Sequence, residues 1–203
     1  EGFPLDDLKQ LVDSMARTAN EAGVKVVTGD TKVVEKGSAA LIFINTTGIG
    51  VVEPGYELQP ANIKPGDSII ITGTVGDHGL SIMAQREGLS FSTPAVSDCQ
   101  PLHRLGAALK QFGPAVRCMR DPTRGGLATV LNELADQSQQ GFLIQEELVP
   151  VSPAVKGACD MLGMDPLYMA NEGKMVLFVD STQVTDIMKE IQQLPESRDA
   201  RVI

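Results

Sequence analysis

The chain has 203 residues, of which 42% are hydrophobic and 21% are charged. This length and composition are typical of a globular protein with one domain or two small ones. The formal net charge of −9 argues against nucleic acid or an anionic membrane as the main partner, because contacts from basic side chains to phosphates supply most of that affinity. A small anion can still bind locally, through a metal ion or an arginine.

The three cysteines, Cys99, Cys118 and Cys159, are widely spaced and form no C-x-x-C pair. They therefore indicate neither a disulfide framework nor a zinc site, and the predicted setting is a reducing cytoplasm. No apolar run approaches the ~20 residues that span a bilayer, and no signal-peptide pattern is present. The chain begins at Glu1 instead of methionine, which indicates processing or a shortened chain.

The first part of the chain shows an α/β pattern. Apolar residues at helical spacing predict a helix over residues 5–22, after which residues 24–27 are predicted to form a short buried strand. Residues 41–47 are predicted to form a second strand. The polar segment Gly29 to Lys32 follows the first strand directly.

A second domain is predicted after the break at Pro54-Gly55. Residues 68–72 are rich in isoleucine and predict a strand that ends in the polar loop 73–79. Beyond this loop, the pattern predicts helices near 80–87, 102–112, 127–137, 153–162 and 183–193, and strands near 115–119, 141–149 and 174–179. The expected fold is α+β, with helices packed on one side of a mixed sheet.

The segment Arg120 to Gly126 carries one carboxylate, two guanidiniums and a glycine pair directly before a helix. The apolar stripe that predicts this helix consists of Leu127, Val130, Leu131 and Leu134. The N–H groups and the dipole at a helix N-terminus favour an anion, and glycines allow its close approach. Asp121 adds a hard oxygen ligand for Mg²⁺.

An ordinary helix start explains the same segment, with Asp121 as N-cap and Pro122 at the first helical position. That alternative leaves Gly125 and Gly126 unexplained, because a glycine inside a helix costs about 1 kcal/mol relative to alanine. A loop that needs positive φ angles or close approach of a ligand explains the two glycines better.

Three further polar segments lie at predicted strand or helix ends, namely Gly29 to Lys32, Gly76 to Gly79, and Asn171 to Lys174. Their carboxylates and basic residues suit a site for ATP and Mg²⁺, where positioning and charge neutralisation dominate. Each also fits a simple turn or loop, and His78 fits an ordinary loop histidine. The P-loop, G-x-G-x-x-G, H-E-x-x-H and G-x-S-x-G motifs are missing, and Cys99 with His103 is only weak evidence for a nucleophilic pair.

These four segments, in this order, resemble the HypE family of hydrogenase maturation proteins, within the aminoimidazole ribonucleotide synthetase superfamily. The resemblance covers essentially the whole chain. It implies ATP-dependent dehydration of a carbamoyl group, carried on a carboxy-terminal cysteine, to a thiocyanate that supplies cyanide ligands for nickel–iron hydrogenase. It also implies ATP and Mg²⁺ as cofactors.

The resemblance assigns roles to individual residues. Glu172 is implied as the general base, with Lys32 and His78 as further catalytic candidates. Asp121 is implied as the metal ligand. The implied nucleotide-binding residues are Asp30, Thr31, Lys32, Arg124, Gly125, Gly126 and Asn171.

The resemblance also implies the domain organisation of the chain and its binding partners. Residues 1–58 correspond to the rest of an amino-terminal ATP-binding and dimerisation domain, and residues 59–203 to the carboxy-terminal domain. The implied partners are a carbamoyltransferase maturation protein, the cyanide-accepting maturation complex and a second copy of the protein.

The chain departs from the family in two respects. It ends at Ile203 without the family's terminal cysteine, and a family region that carries more metal-binding aspartates would precede Glu1. We therefore expect an incomplete ATP site and no activity of the chain alone. The alternatives are another ATP-using member, such as a selenophosphate synthetase, aminoimidazole ribonucleotide synthetase or thiamine-monophosphate kinase, and a noncatalytic docking scaffold.

Overall fold

The computed structural model describes residues 1–89, 91 and 96–203. The chain divides into two compact units, Glu1–Val51 and Val52–Ile203. The functional division predicted after residue 58 stays a prediction. Within the described ranges, no helix combines the length and the apolar character that crossing a membrane requires.

The first unit contains one regular element, helix α1 (Leu5–Glu21), which confirms the predicted helix. The strands predicted at 24–27 and 41–47 are wrong, because neither segment pairs with a strand in the part of the chain that the structure describes. Valine and isoleucine favour extended backbone, but a strand also needs a hydrogen-bonded neighbour and a surface to pack on. Val27 and Phe43 instead remain 86% and 73% exposed.

The second unit has helices and strands mixed along the chain, which confirms the predicted α+β class. Its helices are α2 (Asp77–Glu87), α3 (His103–Leu109), α4 (Gly126–Ser138), α5 (Pro153–Leu162) and α6 (Val184–Ile191). Its strands are β1 (Ser68–Ile71), β2 (Val116–Arg120), β3 (Val176–Val179) and β4 (Arg201–Val202).

The four strands form one sheet in the order β2-β3-β1-β4. All three pairings in it are antiparallel, so the sheet is not mixed as expected. Parallel pairing within the described residues is limited to one isolated bridge, between Val75 and Val151.

Both faces of the sheet are covered by helices, so the expectation of helices on one side was too narrow. Ile69 and Ile71 pack with the apolar stripe of α4, whereas Ile70 packs with α3 and α6. The reason is visible in the strand sequences, because an uninterrupted apolar run such as Val176–Val179 must be buried on both faces. All four residues of that strand are buried.

The strand predicted at 141–149 is also wrong. Residues 141–145 pair with no strand among the described residues, and Glu146–Leu148 is a short 3-10 helix. The alternation of apolar side chains still indicates which of them are buried, because Phe142 and Ile144 pack against the core while Leu143 is 91% exposed. Side-chain alternation reports which face is buried, but a ladder also requires a free neighbouring strand.

Candidate functional site

Asn171 joins three of the four polar segments. Its Oδ1 accepts a hydrogen bond from the N–H of Gly76 at 2.8 Å, and its Nδ2 donates to the carbonyls of Pro122 and Met169, each at 3.0 Å. The side chain is fully buried. An amide offers an acceptor and two donors in fixed directions, so it can bind three loops at once. The structure therefore brings the segments at 76–79, 120–126 and 171–174 together.

Asn171 was predicted to bind nucleotide, and that role stays a prediction. All of its described side-chain contacts are to backbone groups of the second unit. A buried amide with three satisfied hydrogen bonds positions loops, because replacing it leaves buried backbone groups without partners.

The loop from Arg120 to Gly126 connects β2 to α4. Helix α4 begins at Gly126 with Gly125 as N-cap, so the alternative with Asp121 as N-cap and Pro122 at the first helical position is wrong. Gly125 and Gly126 have φ angles of 76° and 65°, which confirms the expected need for positive φ. A Cβ on Gly126 would lie 2.4 Å from the carbonyl oxygen of Leu167. Contact with the protein's own backbone thus requires this glycine.

The loop exposes two charges of opposite sign. Asp121 and Arg124 are both exposed, whereas the nearby Arg120 pairs with Glu133 at 3.0 Å. Among the ion pairs between described residues, none includes Asp121 or Arg124. A carboxylate and a guanidinium at a glycine-rich helix start are the donor types that suit a hydrated Mg²⁺ and a phosphate. The described residues hold no cluster of three or more metal-ligating His, Cys, Asp or Glu side chains.

His78 and Glu172 stand together beside the Asn171 junction. The Nε2 of His78 lies 4.0 Å from Oε1 of Glu172, and the side chains are 22% and 39% exposed. The other ring nitrogen, Nδ1, lies 2.9 Å from the hydroxyl oxygen of Ser97. An imidazole and a carboxylate that both reach solvent form a pair suited to moving protons. The structure thus unites two of the predicted catalytic residues.

Asp77 in the same segment has a structural role. Its carboxylate accepts hydrogen bonds from the hydroxyls of Thr74 at 2.5 Å and Ser152 at 2.9 Å. Ser152 caps α5, since its side chain accepts from the N–H of Val155. Asp77 therefore fastens the loop before α2 to the start of α5.

Asp98 is a polar residue of the site that lies outside the four predicted segments, and it contacts Lys174, which belongs to one of them but was given no role of its own. The carboxylate of Asp98 is 3% exposed and lies 3.5 Å from Nζ of Lys174. It also accepts from the N–H of Glu172 at 3.1 Å. These contacts join residues more than seventy positions apart, so no local spacing could predict them.

A cavity of about 280 Å³ opens beside this group. Its lining is mostly polar and includes Thr72, Thr74, Ser97, Asp98, Cys99 and Lys174. Two of these residues, Ser97 and Asp98, also contact His78 and Glu172. The cavity therefore adjoins the imidazole–carboxylate pair.

Two of the three cysteines belong to the core. Cys118 lies in the sheet and Cys159 in α5, and burial raises the pKa of both thiols. Buried, protonated thiols are poor nucleophiles. Cys99 is exposed and lines the cavity.

The predicted nucleotide residues Asp30, Thr31 and Lys32 belong to the first unit. They are exposed, and Oδ1 of Asp30 accepts the N–H of Thr31 at 2.9 Å. This contact joins adjacent residues, and the structure assigns neither a turn nor a bend to residues 28–32. The nucleotide roles of these three residues stay predictions.

Comparison with known proteins gives matches over nearly the whole chain. The family described as AIR synthase related protein, C-terminal domain, matches residues 64–203, and the corresponding N-terminal domain family matches residues 2–52. Carbamoyl dehydratase HypE of Azotobacter vinelandii is 50% identical over 203 residues, which are 100% of this chain and 60% of the relative. The chain thus spans about 60% of the length of the curated relatives that it matches.

Solved structures agree with these matches. A crystal structure of a HypE–HypF complex has a TM-score of 0.98 at 49% identity, covering 100% of this chain and 67% of that chain. A crystal structure of hydrogenase maturation protein HypE in complex with ATP has a TM-score of 0.96 at 43% identity, covering 100% of this chain and 61% of that chain.

Proposed function

The chain belongs to the AIR synthase related proteins and, within them, to the HypE family, and from this membership we propose that the protein catalyses the ATP-dependent dehydration of a carbamoylated cysteine. The product is a thiocyanate, which supplies cyanide ligands during maturation of nickel–iron hydrogenase. The substrate is a primary thiocarbamate, and its conversion removes the amide oxygen and both N–H protons.

The observation that carries the proposal is the pairing of His78 with Glu172 beside the Asn171 junction. Dehydration needs a base close to the N–H protons and an anion-binding loop close to the departing oxygen. Asn171 holds the Arg120–Gly126 loop and the Gly76 turn in one place, and Glu172 follows it directly. The second unit thus supplies both kinds of group within one set of loops.

An amide oxygen is a poor leaving group, and bound ATP supplies the γ-phosphoryl group that makes it a good one. Glu172 accepts the N–H protons, and His78 at 4.0 Å can relay them to solvent. The exposed guanidinium of Arg124 attracts the transferred phosphate, and Gly125 and Gly126 supply the positive φ angles that turn the loop into α4 beside it. Asp121 is the proposed ligand of Mg²⁺.

The first unit is proposed to serve the nucleotide. Lys32 offers a counter-charge for a nucleotide, and Asp30 and Thr31 offer oxygen atoms that can accept its hydrogen bonds. All three are exposed within their own unit. The support for ATP as cofactor comes from a relative, since a HypE structure was determined in complex with ATP.

The proposed partners follow from the same chemistry. A carbamoyltransferase must load the cysteine, and a relative forms a complex of HypE with HypF. A cyanide-accepting maturation complex must then unload the thiocyanate. We further propose that the protein works as a homodimer in the cytoplasm.

The base is tested with Glu172→Gln in the full-length gene product, which keeps the side chain's size but cannot accept the proton as a carboxylate does. We expect ATP-dependent dehydration to fall by about 100-fold or more. Dehydration is followed by mass spectrometry as loss of one water from the carbamoylated protein. Glu133→Gln is the matched control, because Glu133 is similarly exposed at 45% but pairs with Arg120.

Two outcomes would count against the proposal in different ways. Unchanged turnover in Glu172→Gln would show that this residue is not the base. No dehydration by the unmodified, carbamoylated protein with ATP and Mg²⁺ would overturn the activity itself.

A further inference from the structure

The short segment Ser97-Asp98 touches both members of the His78–Glu172 pair. Ser97 lies against His78, with Oγ 2.9 Å from Nδ1. Asp98 lies against the backbone of Glu172, with Oδ1 3.1 Å from its N–H. Neither residue belongs to the four polar segments. We propose that Asp98, supported by Ser97, is a positioning residue for the base Glu172, an inference that rests on the proposed function.

Asp98 holds three consecutive residues. Its second oxygen, Oδ2, lies 3.4 Å from the N–H of Gly173 and 3.5 Å from Nζ of Lys174. The Asp98 and Lys174 side chains are 3% and 10% exposed. Bonds from donors to a carboxylate are stronger than neutral ones, and exclusion of water strengthens them further. The bend that presents Glu172 is therefore attached to one nearly buried anion.

The bend also lies directly on the backbone of residue 98. A Cβ on Gly173 would fall 1.8 Å from the carbonyl oxygen of Asp98, so this close approach needs glycine. The neighbouring Gln100 also contacts the bend, since its Nε2 donates to the carbonyl of Gly173 at 3.1 Å. Because the N–H groups of Glu172 and Gly173 and the carbonyl of Gly173 are all bonded, the backbone of Glu172 has a defined direction while its side chain reaches solvent.

Ser97 positions the imidazole ring of His78 as Asp98 positions the backbone of Glu172. Its hydroxyl contacts Nδ1 of His78 and also accepts the N–H of Cys99 at 3.1 Å. A contact at Nδ1 orients the ring and leaves Nε2 facing Glu172. Adjacent residues thus fix the acid–base pair from both sides, and a shift of about 1 Å in such a pair can cost about 100-fold in rate.

The test is Asp98→Asn, which keeps the shape but removes the charge, compared with Asp67→Asn. Asp67 is a close match, since it is 6% exposed, accepts the N–H of Lys64 at 2.7 Å and lies 3.5 Å from Nε of Arg117. Asp98→Asn leaves the ammonium of Lys174 without its carboxylate partner. A second variant, Asp98→Asn with Lys174→Gln, removes that ammonium as well, in case the single variant folds poorly. Dehydration by the full-length gene product is measured as kcat and as KM for ATP.

We expect Asp98→Asn to lower kcat by about 100-fold with little change in KM for ATP, and Asp67→Asn to leave both close to the unmodified values. In isotope-labelled protein, hydrogen exchange at the N–H groups of Glu172 and Gly173 should become about tenfold faster in Asp98→Asn. The double variant should show the same two effects.

An unchanged kcat in the folded Asp98 variants would overturn the proposal, and so would a loss of kcat without faster exchange at Glu172 and Gly173. Failure of the proposed base would look different. In that case Glu172→Gln would keep its activity, whereas the exchange measurement would still report whether Asp98 holds the bend.

Discussion

The two units of the chain have similar apolar patterns but differ in what those patterns achieve. In Val52–Ile203 the β-branched runs form a sheet whose two faces are covered, and Phe178 is 1% exposed. In Glu1–Val51 no residue is buried, and Phe43 is 73% exposed. A segment with high strand propensity therefore forms a strand only where hydrogen-bond partners and a packing surface are present.

The two phenylalanines, Phe178 and Phe43, test this contrast between the units most directly. Phe178→Ala removes a ring that packs at 4.7 Å from that of Phe142, and we expect the free energy of unfolding to fall by about 3–5 kcal/mol because of the cavity that remains. Phe43→Ala removes the same group from an exposed position and should change the free energy of unfolding by less than about 0.5 kcal/mol. Urea unfolding followed by circular dichroism measures both.

A large loss in Phe43→Ala would mean that the first unit buries this side chain in solution. A small loss in Phe178→Ala would contradict the packing of the sheet against α4. Either result would remove the contrast between the two units.

The sequence allowed much of the second unit to be predicted, because its patterns and its packing agree. The stripe of α4 is buried as its spacing indicated, and the helix predicted at 153–162 has those bounds in the structure. The strands at 24–27, 41–47 and 141–149 failed for one reason, since periodicity describes a segment and pairing depends on its neighbours. The two-residue strand β4 is too short to give a periodic signal.

The candidate site was predictable in its parts but not in its assembly. Glycine pairs, aspartates and the Asn171 to Lys174 segment can be found by eye in the printed sequence. Their convergence depends on Asn171 reaching Gly76 and Pro122, and on Asp98 reaching Glu172. Such contacts span about 50 to 95 positions and leave no local spacing to detect.

Two glycines, Gly126 in the second unit and Gly29 in the first, differ in the same way at the level of the backbone. Gly126→Ala adds a Cβ at 2.4 Å from the Leu167 carbonyl, at a φ of 65°. We expect the protein to lose about 2 kcal/mol of stability, because both the contact and the φ angle are strained. Gly29→Ala in the first unit meets nothing within 4 Å and should change stability by less than about 0.5 kcal/mol.

Urea titrations also measure the free energy of unfolding of these two glycine variants. Changes in the NMR amide signals of residues near Asn171 show which residues respond to the strain. Equal stability of Gly126→Ala and the unmodified chain would contradict the close packing of α4 against the loop at 167–169. It would also restore ligand approach as the reason for the glycine.

The smallest effect expected is a pH dependence in the loop after β3, where the Asp180 carboxylate accepts three hydrogen bonds, whereas the Asp30 carboxylate in the first unit accepts one among the described residues. The pKa of Asp180 is lowered from its ordinary value of 3.8, first by the Thr182 hydroxyl, then by the Thr182 N–H, and further by Arg117. The corresponding distances are 2.6, 2.9 and 2.7 Å.

A carboxyl group whose pKa is lower in the folded state stabilises the fold above the pKa of the unfolded state. That contribution is lost as the pH falls through 3.8 toward the lower pKa of the folded protein. Asp180→Asn should therefore flatten the fall in melting temperature over this acid range, and Thr182→Val should give an intermediate slope because it removes only the hydroxyl. Identical slopes in all three proteins would show that the Asp180 contacts do not persist in solution, and the second unit's loops would then resemble those of the first.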